Sequence, residues 1–178
     1  RIIIISITLC RMNKTIETMN IDELKQCAAT GDAEAMCELG KAYECGRDVV
    51  VNLWEAVKWY RLAAEQGCAE AQWRLGQACF FGDLAEQDYQ EALKWYRLAA
   101  EHGVDDAQYK LGVCYYNGIC VEEDMEEAVK WWRLAAEQGH KYAKKKVLEV
   151  ERRIEKEKKE NARYSKQYLD SCIKSYNA

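Results

Sequence analysis

Proline is absent from all 178 residues, so nothing in the chain interrupts a helix by a missing amide donor or a ring clash. Glycine is held to ten. Every one falls on a 36-residue frame: Gly40, Gly76 and Gly112 at one phase, Gly46, Gly82 and Gly118 at a second, Gly31, Gly67, Gly103 and Gly139 at a third. None is left over for a phosphate-cradling loop. Histidine occurs only as His102 and His140, each beside a helix-ending glycine, and no C-x-x-C or H-E-x-x-H occurs. Capping of helix C-termini is the expected role of both, and neither a metal nor any other cofactor is expected.

Long apolar runs are missing as well. The one candidate, Arg1 to Cys10 (RIIIISITLC), is too short to span a bilayer, and it lacks a small residue before a cleavage point because Leu9 precedes Cys10. Three readings stay open: Met12 as the natural start, a degraded export signal, or an ordinary strand or helix. Residues 1–19 are therefore read as an extension outside the repeats, non-native or disordered, and no membrane partner is expected.

The nine cysteines are odd in number and follow no phase: Cys27 matches Ala63, Cys79 matches Tyr43 and Tyr115, and Cys114 matches Ala42 and Ala78. A disulfide framework in a repeat protein should itself repeat. Mostly reduced thiols and a cytoplasmic location are the expectation, with export as the alternative if residues 1–10 are the remnant of a signal.

What the chain does have is self-similarity. EAVKWYRLAAEQG (55–67) returns as EALKWYRLAAEHG (91–103) and as EAVKWWRLAAEQG (127–139), each time after 36 residues. Constant-period helical units indicate a stacked array in which each unit buries its apolar face only against its neighbours. The expected architecture is an all-α, α/α solenoid of antiparallel helix pairs. Its units are a half-repeat at 20–31, repeats at 32–67, 68–103 and 104–139, and a capping helix with a basic amphipathic tail at 140–178.

Within each repeat the first helix is expected over Ala33–Cys45, Ala69–Phe81 and Asp105–Asn117. Ala35, Leu39, Ala42 and Tyr43, with their equivalents Ala71, Leu75, Ala78 and Cys79, then Ala107, Leu111, Cys114 and Tyr115, form the core stripe. Gly40, Gly76 and Gly112 lie inside these helices at a propensity cost of about 1 kcal/mol each. Three repetitions of that cost imply close approach of the partner helix. The second helix opens at Asn52, Asp88 and Asp124, each followed three residues later by Glu55, Glu91 or Glu127, the wording of a capping box. Glu55 with Lys58 and Arg61 with Glu65 are expected to pair on its solvated outer face. Past His140 the spacing predicts a charged helix, a polar break near 156–161, and a second amphipathic stretch around Tyr164, Tyr168, Leu169, Cys172, Ile173 and Tyr176.

Charge is uneven: residues 1–139 hold 14 Lys/Arg against 24 Asp/Glu, whereas 140–178 hold 12 against 6. An acidic array repels a phosphate backbone, so the repeats are not expected to bind nucleic acid.

With A-x3-LG-x2-Y-x2-G followed by an acidic or amide cap and A-x2-WY-x2-AA-x2-G, residues 20–147 resemble the Sel-one-like repeat (SLR) family, relatives of tetratricopeptide repeats. Ala35, Leu39, Gly40, Tyr43, Gly46, Asn52, Ala56, Trp59, Tyr60, Ala63, Ala64 and Gly67 carry the match in the first repeat. Some SLR proteins are secreted and hold a cystine pair at fixed phase in each repeat. That pair is missing here. The resemblance implies a non-enzymatic interaction scaffold; a hydrolase activity of the kind proposed for cysteine-rich members is the alternative.

Tetratricopeptide-like packing would turn the first helices toward a concave surface. The face opposite the core stripe then carries Trp73, Gln77, Phe80 and Phe81 in the second repeat and Tyr109, Val113 and Tyr116 in the third, with Lys145, Arg152 and Arg153 beyond. Such a row of rings is expected to anchor a protein or peptide whose acidic group meets the cations. Cys37 and Cys45 fall on the same face in repeat one and are expected to be spectators. Self-association through residues 162–176 is a further expectation.

Overall fold

The computed structural model describes residues 15–82 and 87–176. The readings made of residues 1–10 and of Met12 lie outside the described residues. Among the described residues there are eight α-helices and no strand. They are α1 (Ile21–Ala29), α2 (Ala33–Cys45), α3 (Leu53–Glu65), α4 (Ala69–Phe81), α5 (Tyr89–Glu101), α6 (Asp105–Asn117), α7 (Met125–Glu137) and α8 (Lys141–Tyr176). Each packs on the next in sequence. The tightest pairs are α2 with α3, α4 with α5 and α6 with α7, while α1 covers one end of the array and α8 the other.

The glycines of the first helices explain why the pairs lie so close. A Cβ on Gly40 would stand 2.6 Å from Tyr60, one on Gly76 2.6 Å from Tyr96, and one on Gly112 2.5 Å from Trp132. Each helix pair therefore closes by setting an aromatic ring against a bare stretch of backbone. Ala35, Leu39, Ala71, Leu75, Ala107 and Leu111 complete the core at full burial.

The turns repeat as faithfully. Asn52, Asp88 and Asp124 each accept a hydrogen bond from the amide three residues on. Their own amides donate to Tyr43, Cys79 and Tyr115 carbonyls at 2.9 Å, which ties the second helix to the last turn of the first. Only half of the expected capping box is thus realised in the repeats, because the cap amide is already taken. Glu55 and Glu127 turn instead to Lys58 and Lys130. Among the described residues a full reciprocal box forms only at Asn20 and Glu23.

Repeats are joined by side chains that the period alone does not reveal. Buried Gln72 donates to the Ala64 carbonyl of the preceding repeat and bonds His102 of its own; Gln108 does the same with Ala100 and Gln138. His102 thereby serves a buried amide rather than the helix end expected of it. Arg61 crosses to Glu91 of the next repeat rather than pairing with Glu65.

The C-terminal segment departs from expectation. No break interrupts 156–161: α8 runs through it as one helix of 36 residues. Arg153–Glu157, Lys156–Glu160 and Glu155–Lys159 pair at i,i+4 and carry the polar stretch. Ala143 and Val150 are buried against α7, with Val147 and Ile154 half-buried beside them, and the helix then leaves the stack.

Candidate functional site

Two positions in the repeat frame decide what the expected binding face looks like. The first is the phase of Cys37, Trp73 and Tyr109. Trp73 was expected to face solvent, yet it is 7% exposed and packs on Tyr96 with ring centroids 5.3 Å apart. Tyr109 is half-buried, stacked on His140 at 4.6 Å, and Cys37 is buried and lines one cleft with Cys68. His140 and Cys68 both stand where the next unit's first helix begins. This phase therefore points along the solenoid into the seam between units, which removes Trp73 from the exposed row. His140 departs from the C-terminal role expected of it and caps the following helix instead: its Nδ1 accepts from the Ala143 amide at the start of α8, and its Nε2 donates to Asp106.

The second position is the phase of Glu44, Phe80 and Tyr116, near the end of each first helix. Each is met by the residue 30 positions on, from the next unit. In repeat one Glu44 lies 3.6 Å from Arg74. In repeat two Lys110 stands over Phe80, 5.8 Å from the ring centre, and over Phe81 at 5.5 Å. In repeat three Lys146 stands 5.6 Å over Tyr116. One contact thus recurs as an ion pair, then twice as a cation over an aromatic face.

Around this ladder the other expected residues fall as follows. Phe81 is 50% exposed, Phe80 is half-buried among Phe81, Tyr89 and Tyr96, and Tyr116 is half-buried against Trp132 at 5.5 Å. Gln77 and Val113 are half-buried between them, while Lys145, Arg152 and Arg153 are exposed on α8. Arg153 pairs with Glu157 at 3.1 Å. Lys110 and Lys146 were missed by the sequence reading, although the change at their phase from Glu38 to Arg74, Lys110 and Lys146 is visible in the chain. Tyr142, 70% exposed, stands beside Tyr109 with ring centroids 6.3 Å apart.

Hydrogen bonding around the ladder is unequal. Tyr60 donates to Glu44 at 2.5 Å and Trp132 donates to the Tyr109 carbonyl at 3.0 Å. The Tyr96 hydroxyl, buried and in the matching place, has no partner, because Phe80 stands where repeat one has Glu44. Burial pushes the Tyr96 phenol well above its ordinary range. Among the described residues no group of three or more His, Cys, Asp or Glu side chains converges as a metal would need. No helix among them is long and apolar enough to cross a membrane.

These features have close counterparts. The Sel1 repeat profile matches residues 33–68, 69–104 and 105–140. Comparison with curated proteins gives no match. Among solved structures, the Sel1 repeat protein from Oxalobacter formigenes is 38% identical with a TM-score of 0.69, over 72% of this chain and 97% of its own. The protein c5321, a protective antigen present in uropathogenic Escherichia coli strains and displaying an SLR fold, is 45% identical with a TM-score of 0.65, over 68% of this chain and 26% of its own. Helicobacter pylori cysteine rich protein B shares the fold at 22% identity and a TM-score of 0.54, over 71% of this chain and 96% of its own. With three consecutive profile matches over more than half its length, and two solved relatives above 30% identity, the chain belongs to the Sel1 repeat family.

Proposed function

We propose that the chain is a non-enzymatic scaffold that takes a peptide segment of a partner protein across Gln77, Phe80, Phe81, Val113 and Tyr116, with Tyr109 at its edge. Lys110, Lys145, Lys146, Arg152 and Arg153 then meet acidic side chains of that peptide. Sel1 repeat proteins are in general protein–protein interaction scaffolds, which supports the class of function. The band is basic within an otherwise acidic array, and that local contrast favours an acidic peptide over nucleic acid.

The observation that carries the reading is Phe80. A glutamate there would pair with Lys110 and accept from Tyr96, as Glu44 does with Arg74 and Tyr60. Phe80 does neither and leaves a buried hydroxyl orphaned, a loss of about 1–3 kcal/mol. A half-open phenylalanine that lowers stability is explained by contact with something outside the chain. The test is selection of a displayed random-peptide library on the immobilised chain. Enriched acidic–aromatic peptides whose binding is lost in Phe81→Ser/Tyr116→Ala are the expected outcome. No enrichment, or binding indifferent to that double variant with the fold intact, overturns the reading. Hydrolysis of a chromogenic substrate panel above a heat-killed control would favour the catalytic alternative.

A second reading, self-association through 162–176, is favoured by Tyr164, Tyr168 and Leu169, which are widely exposed on the part of α8 that has left the stack. Sedimentation of the full chain as a monomer, unchanged on truncation after Asn161, would exclude it.

A further inference from the structure

Cys37 and Cys68 belong to different repeats, yet they meet in one core cluster, Cys37 buried in it and Cys68 packed against it. Both line one cleft of about 200 Å³ at the seam between α2 and α4. Elsewhere the two phases they occupy are filled by packing residues, Trp73 with Val104 and Tyr109 with His140. Among the described residues, only at this seam do both phases carry sulfur. Cys37 is buried in α2; Cys68 is half-open at the N-cap of α4. No close cap hydrogen bond forms to the Cys68 sulfur, but the Glu70 and Ala71 amides of the first turn favour its negative charge.

The pair is asymmetric. The neighbouring Cys68 and burial push the Cys37 thiol far up. Cys68 is lowered to about 6 by the adjacent Cys37 and by the Ala71 and Glu70 amides. Burial does the opposite for Cys79 and Cys114, each raised to about 11. Lys41 spans the cleft between Glu38 at 2.9 Å and Glu70 at 3.9 Å, and Glu34 adds a further carboxylate to the lining. The cleft is therefore net negative around a nucleophilic sulfur.

We propose that Cys68 and Cys37 form a thiol–disulfide exchange site for small cationic disulfides. The Cys68 thiolate attacks one sulfur of the disulfide, forming a mixed disulfide and expelling one small thiolate. Cys37 then gives up its proton, its sulfur attacks Cys68 Sγ, and the second small thiolate leaves. Two protein thiols become one disulfide, and one small disulfide becomes two thiols, which take up the two protons released. The product is a covalent staple between α2 and α4, from one repeat to the next. This inference is independent of the peptide-binding band, which lies in the other half of the array.

The test uses the full reduced chain, incubated at neutral pH with cystamine or with oxidised glutathione, then alkylated, digested without reductant and weighed. A Cys37–Cys68 linked peptide is expected, formed several-fold faster with dicationic cystamine than with polyanionic oxidised glutathione. In Cys37→Ser a mixed disulfide should accumulate on Cys68; in Cys68→Ser, Cys37 should stay reduced. The exposed Cys45 and Cys172 provide the reference reactivity within the same wild-type sample. The proposal is overturned if Cys45 and Cys172 are modified while Cys37 and Cys68 remain as free thiols. It is also overturned if the link forms no faster with cystamine than with oxidised glutathione.

Discussion

Tyr60 and Tyr96 stand 36 residues apart and lie over equivalent glycines, but only the first hydroxyl finds an acceptor. The same substitution should therefore act with opposite sign at the two places. Tyr60→Phe gives up the bond to Glu44 and is expected to lower unfolding free energy by about 1 kcal/mol; Tyr96→Phe removes an orphaned polar group and is expected to raise it by about 1 kcal/mol. Urea titrations of both variants measure this directly. Phe80→Glu, which offers Tyr96 and Lys110 what Glu44 offers Tyr60 and Arg74, is expected to raise Tm and to weaken peptide capture together. Glu91 gives a pH signature: the hydrogen bond from Arg61 holds its carboxyl below the ordinary range, helped by bonds from Trp95 and Cys79. A depressed folded pKa adds stability that is present above the unfolded value and is lost as pH falls through the folded one. Arg61→Gln should therefore lower stability at neutral pH and flatten the acid limb, its profile converging on that of the wild type as pH falls below about 4.5, the group's reference value; urea titrations across pH measure this.

Helices show where sequence was sufficient. The mid-helix glycines with their close approach to the partner helix, and the bounds of the first helix of each repeat, could be read from spacing, because helical periodicity fixes which side meets the partner in the same pair; which ring lies on each glycine was not read. Gly76→Ala tests the packing: the gain of about 1 kcal/mol in propensity is expected to be outweighed by 1–3 kcal/mol of overpacking against Tyr96, seen as a lower urea midpoint. Other features were not legible. A stretch such as KEKKENAR looks like a breaker when judged by hydropathy, but its i,i+4 ion pairs make it a stiff extension of α8. Truncation after Asn161 should remove helical circular dichroism and leave the unfolding midpoint of the stack within about 0.5 kcal/mol of the full chain, since the buried part of α8 ends near Ile154.

For the molecule as a whole, the stack was readable and its groove was not. Counting around one helix locates the face opposite the core, but a first helix in this array has a third surface, the one turned to the next unit. How far that surface extends depends on the tilt between units, to which Trp73, Cys37 and Tyr109 give no clue in their own local spacing. For the same reason the candidate band shrinks toward Phe80, Phe81 and Tyr116 and gains the two lysines that stand on them. The contact between residues 30 apart then has a further consequence. Its geometry survives replacement of glutamate and arginine by a ring and a lysine, so the backbone, not the chemistry, sets the spacing of these stations. Duplicating residues 68–103 in place would add one more station at the same pitch. Recognition length in this molecule is accordingly a matter of how many layers are laid down, and the lettering of each layer can change without rebuilding its neighbours.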